Sequence, residues 1–202
     1  MYKDCHVHTK ISHDGKSSMQ DYLDVSTEKG VDEITFTEHY DVYDGLKTNL
    51  KTLNVADYFS SYQKMKESTD TKINFGIEIG LQPDISENIK SLVSNYPFDF
   101  IIGSTHLVDN MDPYYPEYFE DKDDLSAYRH YFETLLACVK EFDHFNVCGH
   151  LDYIVRYGKT KAEHFNIHDY EDIFRDLFRI LVSRGQGIEI NTGSLYRGLS
   201  FP

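Results

Sequence analysis

The sequence predicts an α/β fold built on a parallel sheet. Three observations predict it. Short apolar strand patterns alternate strictly with amphipathic helix patterns along the chain. The strand patterns end, one after another, in histidine or a carboxylate. The 202 residues contain no linker and no low-complexity segment, so 1–202 reads as a single domain with room for a sizeable core.

The first strand is Lys3-Asp4-Cys5-His6-Val7-His8. Residues two apart on a strand share a face, so His6 and His8 aim both imidazoles at one point. The polar loop Ser12-His13-Asp14-Gly15 can bring the Asp14 carboxylate back over the strand end. Ser17-Ser18 caps a helix that carries Met19, Tyr22 and Leu23 on one face and stops at Gly30. Glu33 to Thr37 is a second strand ending in Glu38-His39, and residues 40–53, with Tyr43, Gly45 and Lys47, form a polar loop. Tyr58, Phe59, Tyr62 and Met65 mark a second amphipathic helix. Ile73 to Ile79 is a third strand with Glu78 embedded in it, and a short helix follows over 84–95.

Phe98 to Gly103 is a fourth strand, closing at Ser104-Thr105-His106. Residues 108–122 are rich in Tyr, Asp and Pro and long enough to serve as a lid or binding loop. A long helix follows through Leu125, Tyr128, Phe132, Leu135, Leu136, Val139 and Phe142. Phe145 to His150 is a fifth strand, continued by Leu151-Asp152-Tyr153-Ile154-Val155-Arg156-Tyr157. Ile173, Phe174, Leu177, Ile180 and Leu181 mark a further helix stopped by Gly185, and Gly187 to Asn191 is a sixth strand. An open doubly wound sheet and a barrel both fit this order. The dinucleotide fingerprint G-x-G-x-x-G is absent, which weighs against a nucleotide-binding open sheet.

Composition narrows the function classes. A formal net charge of −14 weighs against a nucleic-acid-binding surface. An acidic chain can still bind an anion where metal ions reverse the local field. Cys5, Cys138 and Cys148 form no C-x-x-C pair and read as reduced thiols of a cytoplasmic protein. No signal-peptide core and no membrane span are read, so no membrane partner is expected.

The chemistry rests on His6, His8, Asp14, His39, Glu78, His106 and His150. An H-x-H pair alone can simply be solvated, and one histidine at a strand end is usually structural. Strand after strand ending in a ligand is a different pattern. In a parallel barrel the strand C-termini converge on one rim, where such residues would form a multinuclear metal centre. Nitrogen and oxygen donors of this kind suit Zn, Fe or Mn.

These stretches resemble the polymerase-and-histidinol-phosphatase, or PHP, superfamily. His6-x-His8 with Asp14 matches its first motif, Thr37-Glu38-His39 its second, Glu78 with His106 its third, and Gly149-His150-Leu151-Asp152 its fourth. The whole run, including Gly187-Ile188-Glu189-Ile190-Asn191-Thr192, is most similar to the monofunctional histidinol-phosphatases of histidine biosynthesis. The resemblance implies a distorted (β/α)7 TIM-like barrel and two to three divalent metal ions. It implies that His6, His8 and Glu78 hold one ion, that Glu78 bridges to a second held by His106 and His150, and that Asp14 and His39 hold a third. The family closes its barrel with a seventh strand bearing Asp-x-His. This sequence stops at Phe201-Pro202 before such a motif, so the last strand is expected to be missing and two ions to lack one ligand each.

The implied reaction is hydrolysis of L-histidinol phosphate, a small phosphorylated substrate, to L-histidinol and phosphate. The rivals are another PHP phosphoesterase, acting on phosphotyrosyl protein or a nucleotide, and a metal-binding module with impaired catalysis. Arg156 and Arg197 follow strands whose ends face the expected active rim and are candidates for holding phosphate oxygens. Tyr115 and Tyr157 are candidate pocket walls. Asp152 is the candidate catalytic residue, as orienter of a ligand imidazole or proton donor to the leaving alkoxide. His13 and His144 read as bystanders, and Cys148 as packing beneath the metals.

Overall fold

The computed structural model describes residues 2–43, 49–161 and 163–198. Gly45 and Lys47 of the predicted 40–53 loop, and the terminal Phe201-Pro202, lie outside the described residues. Six strands follow one another in a sheet of order β1-β2-β3-β4-β5-β6. They are β1 (Tyr2–Val7), β2 (Val31–Tyr40), β3 (Lys72–Gly80), β4 (Phe100–Ser104), β5 (Val147–Cys148) and β6 (Gly187–Ile188). The helices are α1 (Met19–Lys29), α2 (Val55–Glu67), α3 (Ser86–Asn95), α4 (Asp124–Glu141), α5 (Glu171–Arg184) and the short α6 (Gly193–Tyr196). The predicted β-α alternation is therefore the observed one. Among the described residues no helix is long and apolar enough to cross a membrane.

The chain divides into two compact units, Met1–Ile79 with Lys90–Ile102, and Gly80–Ile89 with Gly103–Pro202. In the first, β1 and β2 run parallel, as do β2 and β3, and the second register sets His39 opposite Glu78. Ser18 caps α1 in a reciprocal box with Asp21, and Gly30 ends it at φ 67°, a left-handed conformation that glycine adopts without a Cβ penalty. Phe36, Tyr58, Phe75 and Ile77 are fully buried. The Tyr58 hydroxyl contacts the carbonyls of Phe36 at 2.7 Å and Gly76 at 2.9 Å, which ties α2 to β2 and β3. Glu33 joins three strands: its carboxylate meets Lys3 at 2.6 Å, Lys72 at 3.0 Å and the Asn74 amide at 2.7 Å.

The hydrogen bonds from Lys3, Asn74 and Lys72 hold the Glu33 carboxyl at about 2, below its ordinary 4.5. A depressed carboxyl stabilises the fold above its unfolded value, and this is lost as pH falls through the folded one. Urea unfolding between pH 5 and pH 2 is therefore expected to show a steeper loss of stability for the native chain than for Glu33→Gln. Parallel curves would remove Glu33 from the acid response.

In the second unit, α4 packs on α5 through Phe132, whose ring lies 4.8 Å from Phe174 and 4.9 Å from Tyr170. The fifth and sixth strands are shorter than the predicted 145–150 and 187–191. Backbone bonds from Gly187 N–H to Asn146 and from Glu189 N–H to Cys148, both 2.9 Å, join them, flanked by side-chain bonds: the Gln186 amide donates to the carbonyls of Asp143 and Phe145, and the Glu189 carboxylate accepts the His150 N–H at 2.8 Å. Residues 108–122, expected to serve as a lid or binding loop, are packed into the second unit along part of their length. Val108, Tyr118 and Phe119 are buried, Pro116–Phe119 forms a 3-10 turn, and the Tyr118 hydroxyl donates to the Ala127 carbonyl. Only Tyr114 and Tyr115 among its aromatics project outward.

Candidate metal centre

The first unit brings together five of the seven predicted metal ligands. His6 and His8 leave the end of β1 two residues apart, with their Nε2 atoms 3.0 Å from each other. Both face one oxygen of Glu78, at 3.1 Å from His6 and 3.2 Å from His8. The Nδ1 of His39 lies 3.0 Å from the same oxygen. Glu78 is fully buried. A carboxylate at the focus of three imidazoles, in an apolar strand, needs positive charge.

The spacing tests whether a cation fits. Donors about 2.0–2.1 Å from a tetrahedral ion lie roughly 3.3 Å apart. The three atoms contributed by His6, His8 and Glu78 are 3.0–3.2 Å apart, close to that edge length. His8, Asp14 and His39 form a second group whose ligand atoms all lie within 4.8 Å of one another. In it, the His39 Nε2 is 3.6 Å from Asp14, and the His8 and His39 rings stack at 4.1 Å, 4° from parallel. The buried Nδ1 of His8 has no hydrogen-bond partner among the described residues. Burial pushes the Asp14 carboxyl up, but the hydrogen bond and charge of His39, aided by His8 and His13, hold it well below its ordinary value. The residues present fit divalent ions.

Four residues of this unit gain roles that the sequence did not reveal. Glu38 is buried and binds the 9–15 loop, accepting from the Thr9 and Ser12 N–H groups at 3.1 Å and their hydroxyls at 2.6 and 2.5 Å. The Ser12 hydroxyl in turn accepts the His39 N–H at 2.9 Å. Gly15 closes the loop: a Cβ there would sit 1.9 Å from the Thr9 carbonyl oxygen. Asp41 is buried with an oxygen 3.5 Å from His39 Nδ1. His13, expected to stand apart, stacks on His39 at 5.2 Å. His144 pairs with Asp143 at the surface.

The second unit holds His106 and His150, both buried, with ring centroids 5.3 Å apart. Tyr153 packs against both. Asp152 and Arg156, read from the sequence as a catalytic acid and a phosphate ligand, are partners of each other. The Asp152 carboxylate takes Nε and Nη2 of Arg156 at 3.0 Å each and also the Ser194 hydroxyl. Burial lowers the Arg156 pKa, but the Asp152 hydrogen bonds and charge outweigh it and raise it overall. Arg197 instead lies over the Tyr157 ring, 6.0 Å from its centroid. Tyr157 is half-buried, Tyr115 is exposed, and Tyr114 links them, 5.4 Å from Tyr157 and 5.2 Å from Tyr115. Cys148 is fully buried, and burial pushes its thiol up to about 12.

The PHP domain model matches residues 4–193. The chain belongs to the PHP domain family. A protein of Clostridium acetobutylicum named "Probable histidinol-phosphatase" is 31% identical over 195 residues, which is 96% of this chain and 74% of that protein. The "Histidinol-phosphatase" of Lactococcus lactis subsp. lactis is 31% identical over 193 residues, 94% of this chain and 71% of that one. The crystal structure of the Lactococcus lactis histidinol phosphate phosphatase, complexed with zinc, L-histidinol and phosphate, matches with a TM-score of 0.85 at 31% identity. That match covers 95% of this chain and 73% of the other.

Proposed function

We propose that this PHP chain is a metal-dependent histidinol-phosphatase, hydrolysing L-histidinol phosphate to L-histidinol and phosphate in histidine biosynthesis. One observation carries the proposal: a chain with the sequence and fold of PHP histidinol-phosphatases focuses three imidazoles on one oxygen of a buried carboxylate, at 3.0–3.2 Å. His6, His8 and Glu78 would hold one divalent ion, and Asp14 and His39, with His8 alongside, a further one. His106 and His150, buried together in the second unit, would by their motifs serve as metal ligands there. Two to three ions of zinc, iron or manganese suit these nitrogen and oxygen donors. When bound, such ions supply positive charge for phosphate oxygens and make a water acidic enough to act as nucleophile near neutral pH.

The chain's own groups do the rest. Arg197 offers parallel N–H donors to phosphate oxygens. Tyr115 and Tyr157 wall the organic part of the ester. Asp152 holds Arg156 in place, which favours a positioning role for this pair over direct proton transfer. Water attacks phosphorus in line with the ester oxygen, and the alkoxide leaves as histidinol once protonated. A small phosphorylated substrate suits a chain of formal net charge −14, and reduced thiols suit the cytoplasm.

Turnover measured on a panel of phosphate monoesters tests the substrate. Histidinol phosphate should give the highest kcat/KM, above phosphotyrosine and nucleoside monophosphates. A preference for either rival would reassign the chain within the PHP family. Arg197→Ala should lower kcat/KM for histidinol phosphate by about one to two decades at unchanged metal content, the worth of a hydrogen bond to a charged group. Unchanged kinetics would return Arg197 to the surface.

A further inference from the structure

A ladder of aromatic rings runs outward from the imidazoles of the second unit. Tyr153 lies 5.6 Å from His106 and 5.3 Å from His150. Tyr157 lies 5.1 Å beyond it, followed by Tyr114 and Tyr115. The ladder is closed into a loop by one carboxylate. The Tyr153 hydroxyl donates to Oδ1 of Asp112 at 2.8 Å, and the same oxygen accepts the Tyr114 N–H at 2.8 Å. Asp112 thus connects the ring that flanks both histidines to the backbone that carries Tyr114 and Tyr115.

Asp109 and Asn110 stand at φ 51° and 63°, in the left-handed region that Asp and Asn favour in two-residue turns, and the Val108–Met111 bridge closes around them. Beyond that bridge, the Asp112 carboxylate is what ties the Tyr114 backbone to Tyr153.

We propose that Tyr153 is a positioning residue: through Asp112 it fixes the 109–115 turn, and with it Tyr114 and Tyr115, against the His106–His150 pair, so that the aromatic ladder grips the organic end of the substrate. The inference rests on the function proposed above. Its chemistry is that of an imidazole and an ammonium group meeting tyrosine faces by stacking and cation–π attraction. The phosphate end is left to Arg197 and the ligand residues. Tyr153 therefore controls substrate affinity and leaves phosphate binding alone.

Tyr153→Phe keeps the ring and removes the hydroxyl. Hydrogen exchange of the 109–115 turn should quicken about tenfold or more in this variant, with exchange in α4 and metal content as in the native chain. The KM for histidinol phosphate should rise about ten- to hundredfold, the loss of a hydrogen bond to a charged group, while kcat stays within about twofold. The inhibition constant of inorganic phosphate should not change. Asp112→Asn, which keeps an acceptor without the charge, should fall between the native chain and Tyr153→Phe, and Asp112→Ala should match Tyr153→Phe. Unchanged exchange in the turn would overturn the proposal. So would phosphate inhibition that weakens by the same factor as KM rises. If the native chain leaves histidinol phosphate intact, the assigned function falls, and the exchange comparison alone decides for or against the strut.

Discussion

Replacing Glu78 with Ala should strip more metal from the chain than replacing any single histidine. Its one oxygen lies 3.1, 3.2 and 3.0 Å from nitrogens of His6, His8 and His39, so three ligand imidazoles share this one carboxylate. Each histidine variant leaves a carboxylate and two imidazoles. Glu78→Ala leaves His6, His8 and His39 without the carboxylate they share, and removes the buried negative charge that draws a divalent ion to them. Elemental analysis after dialysis should find the metal content of Glu78→Ala below that of His6→Ala, His8→Ala and His39→Ala. Glu78→Gln, with the shape but not the charge, should fall near Glu78→Ala. Full metal content in either Glu78 variant would remove the carboxylate from the centre.

Asp152→Ala should cost stability before it costs chemistry. The Arg156 side chain is 5% exposed and both its bonded nitrogens sit on Asp152. Removing one partner of a buried pair strands the other charge, which typically destabilises by about 3–5 kcal/mol. Replacing both with apolar residues is often nearly neutral, so Asp152→Ala combined with Arg156→Met should recover most of the loss. Urea unfolding of the single and double variants checks this. A stable Asp152→Ala chain with lost turnover would restore Asp152 as the proton donor that its motif position suggested.

These two results mark what was legible in the sequence and what was not. His6 and His8 were legible because a strand repeats every two residues and puts both rings on one face. Glu78 was legible because a carboxylate inside an apolar strand has to be paired. The ends of α1 were written in Ser18 and Gly30. The Asp152–Arg156 pair was not legible, because it depends on a 3-10 turn at Tyr153–Arg156 that brings residues four apart into register, where the sequence pattern offered no period. Glu38 was hidden for another reason. It sits beside His39 on the strand, and only the folded 9–15 loop shows that four donors reach it from there. The short extent of β5 and β6 was hidden because the Gln186 and Glu189 side chains bond to the backbone just beyond the ladder, which no apolar pattern records.

The central claim is that the ligand residues make this chain a phosphatase of histidinol phosphate. Phosphate release from histidinol phosphate, followed in dialysed chain before and after adding back zinc or manganese, tests it most directly. Turnover should be absent after dialysis, return with metal, and not return in Glu78→Gln given the same metal. Turnover that persists in the metal-free chain, or equal turnover by Glu78→Gln, would contradict it.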